Sequence, residues 1–155
     1  MADIKTTFNG RLNGGDYTLE NGQLREDKGL ETAIIQSLFT DRRAKPDDEL
    51  PHGHSDRRGW FGNRFILERD QVGSRLWLLS REKQTQEVVN RAREYIKEST
   101  NWLIEQGIAT QVDINVEIIS QGTLGFRLTV HKPNLNAVEF SYSYLWEDGS
   151  YINAI

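Results

Sequence analysis

His52 and His54 stand two apart in a segment that also carries Asp47, Asp48 and Glu49. Imidazole nitrogen and carboxylate oxygen together are donors that a divalent metal accepts. The spacing matches no closed ligand signature, and the third histidine, His131, is far along the chain. Loop histidines are more often simply solvated, so the sequence assigns no metal ligand and no cofactor. Glycoside hydrolysis is the next chemistry to weigh, since it needs two carboxyl groups roughly 5 to 9 Å apart. With 23 acidic residues some pair always meets that distance. A general acid must also sit where burial raises its pKa, and Glu31, inside an expected helix, is the acid placed beside an apolar surface. No Ser nucleophile elbow and no GxxxxGK phosphate loop occurs. No catalytic residue is assigned.

Protein docking explains the polar residues better. Residues 40 to 64, TDRRAKPDDELPHGHSDRRGWFGNR, hold 11 charges, five acidic and six basic. A connection this long usually marks a functional or binding loop, because most run ~4 to 6 residues. It contains two DRR copies, Asp41, Arg42, Arg43 and Asp56, Arg57, Arg58, each carrying guanidinium forks suited to carboxylates. The second copy runs into Trp60 and Phe61, and Trp and Arg are frequent interface anchors. Gly59 and Gly62 would let both rings turn into one pocket, either on a partner or on the protein's own core. The loop is expected to be partly mobile in the free chain.

The elements that must carry this loop follow from periodicity. Residues 3 to 25 mix isolated apolar positions with Asn-Gly and Gly-Gly punctuation, which implies turns and short strands. Leu30, Ala33, Ile34 and Leu38 recur at helical spacing, with Asp27 as candidate N-cap and Arg42 and Arg43 at the far end. GSRLWLLS, residues 73 to 80, reads as a short apolar helix. Thr85 can cap a long amphipathic helix over about 86 to 106, whose stripe is Val88, Ala92, Tyr95, Ile96, Ser99 and Leu103, closed by Gly107. The period then becomes two. Val112 to Ile118, Leu124 to Val130 and Val138 to Trp146 alternate apolar and polar residues, which predicts a three-stranded antiparallel meander. The fold class is α+β, helices first and sheet last, in a single domain spanning 1–155 with a long charged loop at about 41–65. The third strand, with Val138, Phe140, Tyr142 and Tyr144 facing the core, is the expected edge, guarded by Glu139 alone.

Composition restricts the partners. A net charge of −4 gives no global field for nucleic acid. No apolar run reaches the ~20 residues of a membrane helix, so no membrane partner is expected. The absence of cysteine excludes disulfides, and the polar start MADIKTTFNG lacks a signal-peptide core, so the chain is expected to be made in the cytoplasm.

The blocks GLETAIIQSLFTDRRAKPDDELP, DRRGWFGN, GSRLWLLSREKQT, RAREYIKESTNWLIEQGIA and FSYSYLWE, in this order over about residues 16 to 148, resemble the tail baseplate protein family of Mu-like contractile phages. That family is in turn similar to the small lysozyme-like wedge proteins of contractile tails. The resemblance implies a structural virion protein, six copies per baseplate, assembled in the host cytoplasm. It implies a helix bundled with two copies of a larger wedge subunit, proximity to the central hub and spike proteins, and a sheet on which the first ring of sheath protein is templated. Strand addition at the third strand, Val138 to Trp146, would supply main-chain hydrogen bonds to the sheath. The alternative implied by the wider group is a tail-associated enzyme that cleaves peptidoglycan.

Overall fold

The computed structural model describes residues 3–9, 14–24, 26–27, 30–51, 55–67, 71–80, 82–145 and 150–153. His52, His54, Gly29 and Trp146 lie outside them. Six short strands open the chain: β1 (Asp3–Ile4), β2 (Thr6–Asn9), β3 (Gly14–Tyr17), β4 (Leu19–Glu20), β5 (Gln23–Leu24) and β6 (Glu26–Asp27). They pair as β2 with β3, β4 with β5, and β1 with β6. The first helix, α1 (Glu31–Phe39), is tied to this region by a Lys5–Glu31 ion pair of 2.7 Å and by the Thr6 amide donating to the Thr32 hydroxyl at 3.3 Å. The ion pair engages the carboxylate that sequence placed beside an apolar surface.

Two details of α1 differ from expectation. Asp27 is not its cap: it lies in β6 opposite Asp3, and Leu30 occupies the N-cap position without a side-chain bond. The helix also stops at Phe39, before Arg42 and Arg43. Thr40 is extended, and the Ser74 amide donates to its carbonyl while the Arg42 amide donates to Ser74. These long-range backbone bonds compete successfully with another helical turn.

The apolar segment folds as a 3-10 turn, Leu76–Leu79, with all four residues buried. A run with no polar face cannot lie on a surface, so it crosses the core. The second helix, α2 (Gln86–Thr100), begins as expected, with the Thr85 hydroxyl accepting from the Val88 amide at 3.4 Å. Every member of its apolar stripe is buried. The long helix is interrupted at Asn101 and resumes as α3 (Trp102–Glu105). The Ser99 and Thr100 hydroxyls both donate to the Ile96 carbonyl, and such back-bonding loosens the helical ladder locally. Gly107, at φ +69°, then reverses the chain.

The meander is present as β7 (Gln111–Ser120), β8 (Thr123–His131) and β9 (Val138–Leu145), and a fourth strand, β10 (Ser150–Asn153), joins it antiparallel. The order is β10-β9-β8-β7. The expectation that β9 is an edge is therefore corrected. Ser150 to Asn153 pair with Leu145 to Tyr142, so the outer side of that half is occupied. Val138 to Ser141 pair only with β8 among the described residues. Period-two patterning identified β9 through a long alternating row, and the four residues of β10 are too few to give that signal.

A single apolar cluster joins these layers. Ile34 and Leu38 of α1, Leu76 and Leu79, Val88, Ala92 and Ile96 of α2, and Leu124, Leu128 and Val130 of β8 are all within it. Phe39 meets Tyr142 edge-on at 5.3 Å and Phe126 at 6.0 Å, which fastens α1 to the sheet. Side chains of the central strand β8 that face the helices are essentially inaccessible, while α2 packs over β7.

Candidate protein-docking site

The charged loop leaves α1 at Thr40 and returns to the core at Ser74, and its two DRR copies bind each other. The Trp60 amide donates to the Asp41 carbonyl at 2.9 Å, and the Ala44 amide donates to Arg57 at 3.0 Å. Arg58 donates to the Asp41 carboxylate at 2.9 Å and lies 4.7 Å over the Trp77 ring. Arg57 donates to the Lys45 and Pro46 carbonyls. Asp56 accepts from the Arg58 amide at 2.8 Å, and Arg43 reaches the Arg58 carbonyl at 3.4 Å. The Arg42 carbonyl accepts from the Trp77 indole at 2.8 Å.

Arg57 and Arg58, whose forks the sequence offered to a partner, are bonded within the loop, which has a hydrogen-bonded frame over its described residues. The physical reason is charge balance within the segment: Asp41 and Arg58 are 17 positions apart, and nothing local in the sequence shows that they meet.

A half-buried ion cluster fixes the base of the frame. Arg75 donates to Asp48 at 2.7 and 3.0 Å and to Glu98 at 2.8 and 3.1 Å, and Lys45 pairs with Glu98 at 3.2 Å. Its guanidinium also lies 4.6 Å over the Tyr95 ring. Burial alone would raise the Glu98 carboxyl, but Arg75 and Lys45 outweigh it and hold that carboxyl below the usual carboxylate range. Burial pushes Tyr95 up. The sequence offered no signal for this cluster, because Asp48, Arg75 and Glu98 belong to three separate segments.

Glu98 also lines a cavity of about 660 Å³ between α1, residues 71 to 72, and the end of α2 and α3. An ionised, cation-held carboxylate is the opposite of the raised-pKa acid that glycoside hydrolysis requires. Among the described residues no three His, Asp or Glu side chains gather as a metal site. His131 instead contacts Asp113 at 2.7 Å, on the exposed face of the sheet.

The aromatic anchors are displayed outward. Trp60 is 47 %, Phe61 70 % and Phe65 77 % exposed, and Ile66 and Leu67 continue the patch. Trp60 and Phe61 therefore do not enter one pocket of the core. The Trp60 ring folds over Gly62, where an added Cβ would lie 2.3 Å from the indole, while Phe61 turns away to meet Phe65 edge-on at 5.6 Å. Gly59, at φ +111°, sits against the Arg43 backbone where a Cβ has no room. Residues 61 to 65 form a 3-10 turn, and buried Asn63 clamps it by exchanging two side-chain bonds with Val72, at 2.8 and 3.0 Å.

The strand residues fall elsewhere. Val138 and Phe140 are partly buried, Tyr142 is buried on the core face, and for Tyr144 the backbone pairs with Leu124 and Tyr151. The structure does not bring them together with the loop residues into one described site.

An α+β fold whose charged loop is hydrogen-bonded along its described residues and displays an exposed aromatic patch presents a surface suited to contacts. The chain belongs to the family described as Phage protein GP46, which it matches over residues 30–137. Its relatives are proteins of phage Mu and of a Mu-like prophage, in agreement with the resemblance read from its sequence blocks. It is 39 % identical over 144 residues to "Baseplate protein gp46" of Escherichia phage Mu, covering 92 % of this chain and 95 % of that protein. It is 31 % identical over 147 residues to "Mu-like prophage FluMu protein gp46" of Haemophilus influenzae, covering 94 % and 98 %.

Proposed function

We propose that the protein is a structural wedge component of a contractile-tail baseplate, assembled in the host cytoplasm and built into the virion. It joins a larger wedge subunit, two copies per wedge and six times around the baseplate next to the hub and spike, and its sheet templates the first sheath ring. The observation that carries this reading is the match to a baseplate protein along 92 % of the chain. The sheet supports the templating part in a narrower form than the sequence suggested. Val138 to Ser141 still offer unpaired backbone among the described residues, and strand addition there would extend the sheet beside β10.

Co-expression with the larger wedge subunit tests the reading. A stable complex on size exclusion is expected. Separate elution of the two chains at micromolar concentration would refute the wedge assignment, and turnover of purified peptidoglycan would replace it with the enzymatic alternative.

A further inference from the structure

We infer that the turn Trp60 to Leu67 is a preformed plug for an apolar pocket rimmed by carboxylates on a neighbouring protein of the baseplate. The inference rests on the structural reading above and names a contact surface within it. Single exposed apolar side chains need no explanation, but five within eight residues form a patch, and such patches mark interaction sites.

The patch is held in shape without being used by the core. Its entry is fixed by the Trp60 amide on Asp41, its middle by the Asn63 clamp on Val72, and its glycines are set by close approach. Rings held in place lose less conformational freedom on binding, so the arrangement favours docking. Phe61 and Phe65, packed edge to face, present one ridge of large area.

Charge selects the partner. From Arg57 to Leu67 the chain has three arginines and no acidic residue, within a protein of net charge −4. Arg57 and Arg58 are bonded within the loop, whereas Arg64 is exposed and makes no ion pair among the described residues. One available fork beside an aromatic ridge suits a localised carboxylate on a protein surface. A second copy of this chain docking symmetrically would set the same arginines against each other. An anionic membrane is a poorer match as well, because adsorption gains only ~1 kcal/mol per cation near the surface and the protein's net charge of −4 opposes it.

The test places a photoreactive benzoylphenylalanine at position 61 of the full chain in assembled tail particles, followed by mass spectrometry of the cross-linked peptides. Expected is a cross-link to another baseplate protein, at a segment with apolar residues flanked by Asp or Glu. Arg64→Glu should cut its yield at least about tenfold and Arg64→Lys should keep most of it, with the melting temperature of both variants unchanged because Arg64 is exposed. Cross-links within the chain, to a second copy, or to a partner segment without acids would overturn the inference, as would an Arg64→Glu yield equal to wild type. Binding of the free protein to phosphatidylglycerol vesicles that is lost in Phe61→Ser would also overturn it, in favour of a membrane. Particles that carry the protein but give those results leave the baseplate function standing. Particles that lack the protein altogether overturn both.

Discussion

Removing Arg75 is the most informative perturbation of this fold. The guanidinium is 11 % exposed and serves two carboxylates, Asp48 at 11 % and Glu98 at 27 %. Arg75→Ala leaves Asp48 shielded from water without its cation, while Glu98 keeps Lys45. Breaking a buried pair by deleting one partner costs ~3 to 5 kcal/mol. Lys45 and partial solvation of Glu98 reduce this, so we expect a loss of roughly 2 to 4 kcal/mol near neutral pH. For a chain of this size that corresponds to a fall in melting temperature of about 5 to 12 °C, measurable by calorimetry. The loss also has a pH signature. Because the folded state holds the Glu98 carboxyl below its ordinary 4.5, the unfolded chain takes up the proton first as pH falls. The stabilisation is therefore complete above about pH 5 and disappears on acidification through the folded pKa. The gap between wild type and Arg75→Ala should narrow accordingly below pH 4. A melting-temperature change under 2 °C at pH 7, or a gap that stays constant down to pH 3, would refute the reasoning.

Other parts of the structure yield simpler tests. Ile96→Ala, at a fully buried position of α2, should cost ~2 to 5 kcal/mol by urea denaturation. Thr85→Ala removes the hydroxyl that caps α2 and should cost about 1 kcal/mol, which Thr85→Ser should largely restore. Gly73→Ala should destabilise more than an ordinary loop substitution, since φ is +105° and the new Cβ would lie 2.5 Å from the Thr40 carbonyl oxygen; equal melting temperatures would show that the loop can shift. Arg58→Ala, losing an exposed pair with Asp41 and its stacking on Trp77, should lower stability by about 1 kcal/mol and speed amide exchange at Trp60.

Legible in the sequence were the elements whose signal is repeated and local. The stripe from Val88 to Leu103 recurs every three or four residues, and the rows of β7, β8 and β9 alternate over seven or more. Each pattern states which side must leave water, so helix, meander and α+β class were legible, and the ordered blocks carried the family. Thr85 was readable for the same reason, since a cap lies within three residues of the group it satisfies. Tertiary packing set the roles of the described loop residues. Asp41 meets Arg58, Arg75 joins Asp48 to Glu98, and Asn63 finds Val72 only after α1, α2 and the 3-10 turn have packed, and no spacing encodes those meetings. It also decided that β10 covers half of β9, and that Trp60 and Phe61 face solvent. The physical reason is that amphipathic patterning fixes which face of an element is buried, whereas the partner of a polar group depends on which remote segment the packed core brings beside it.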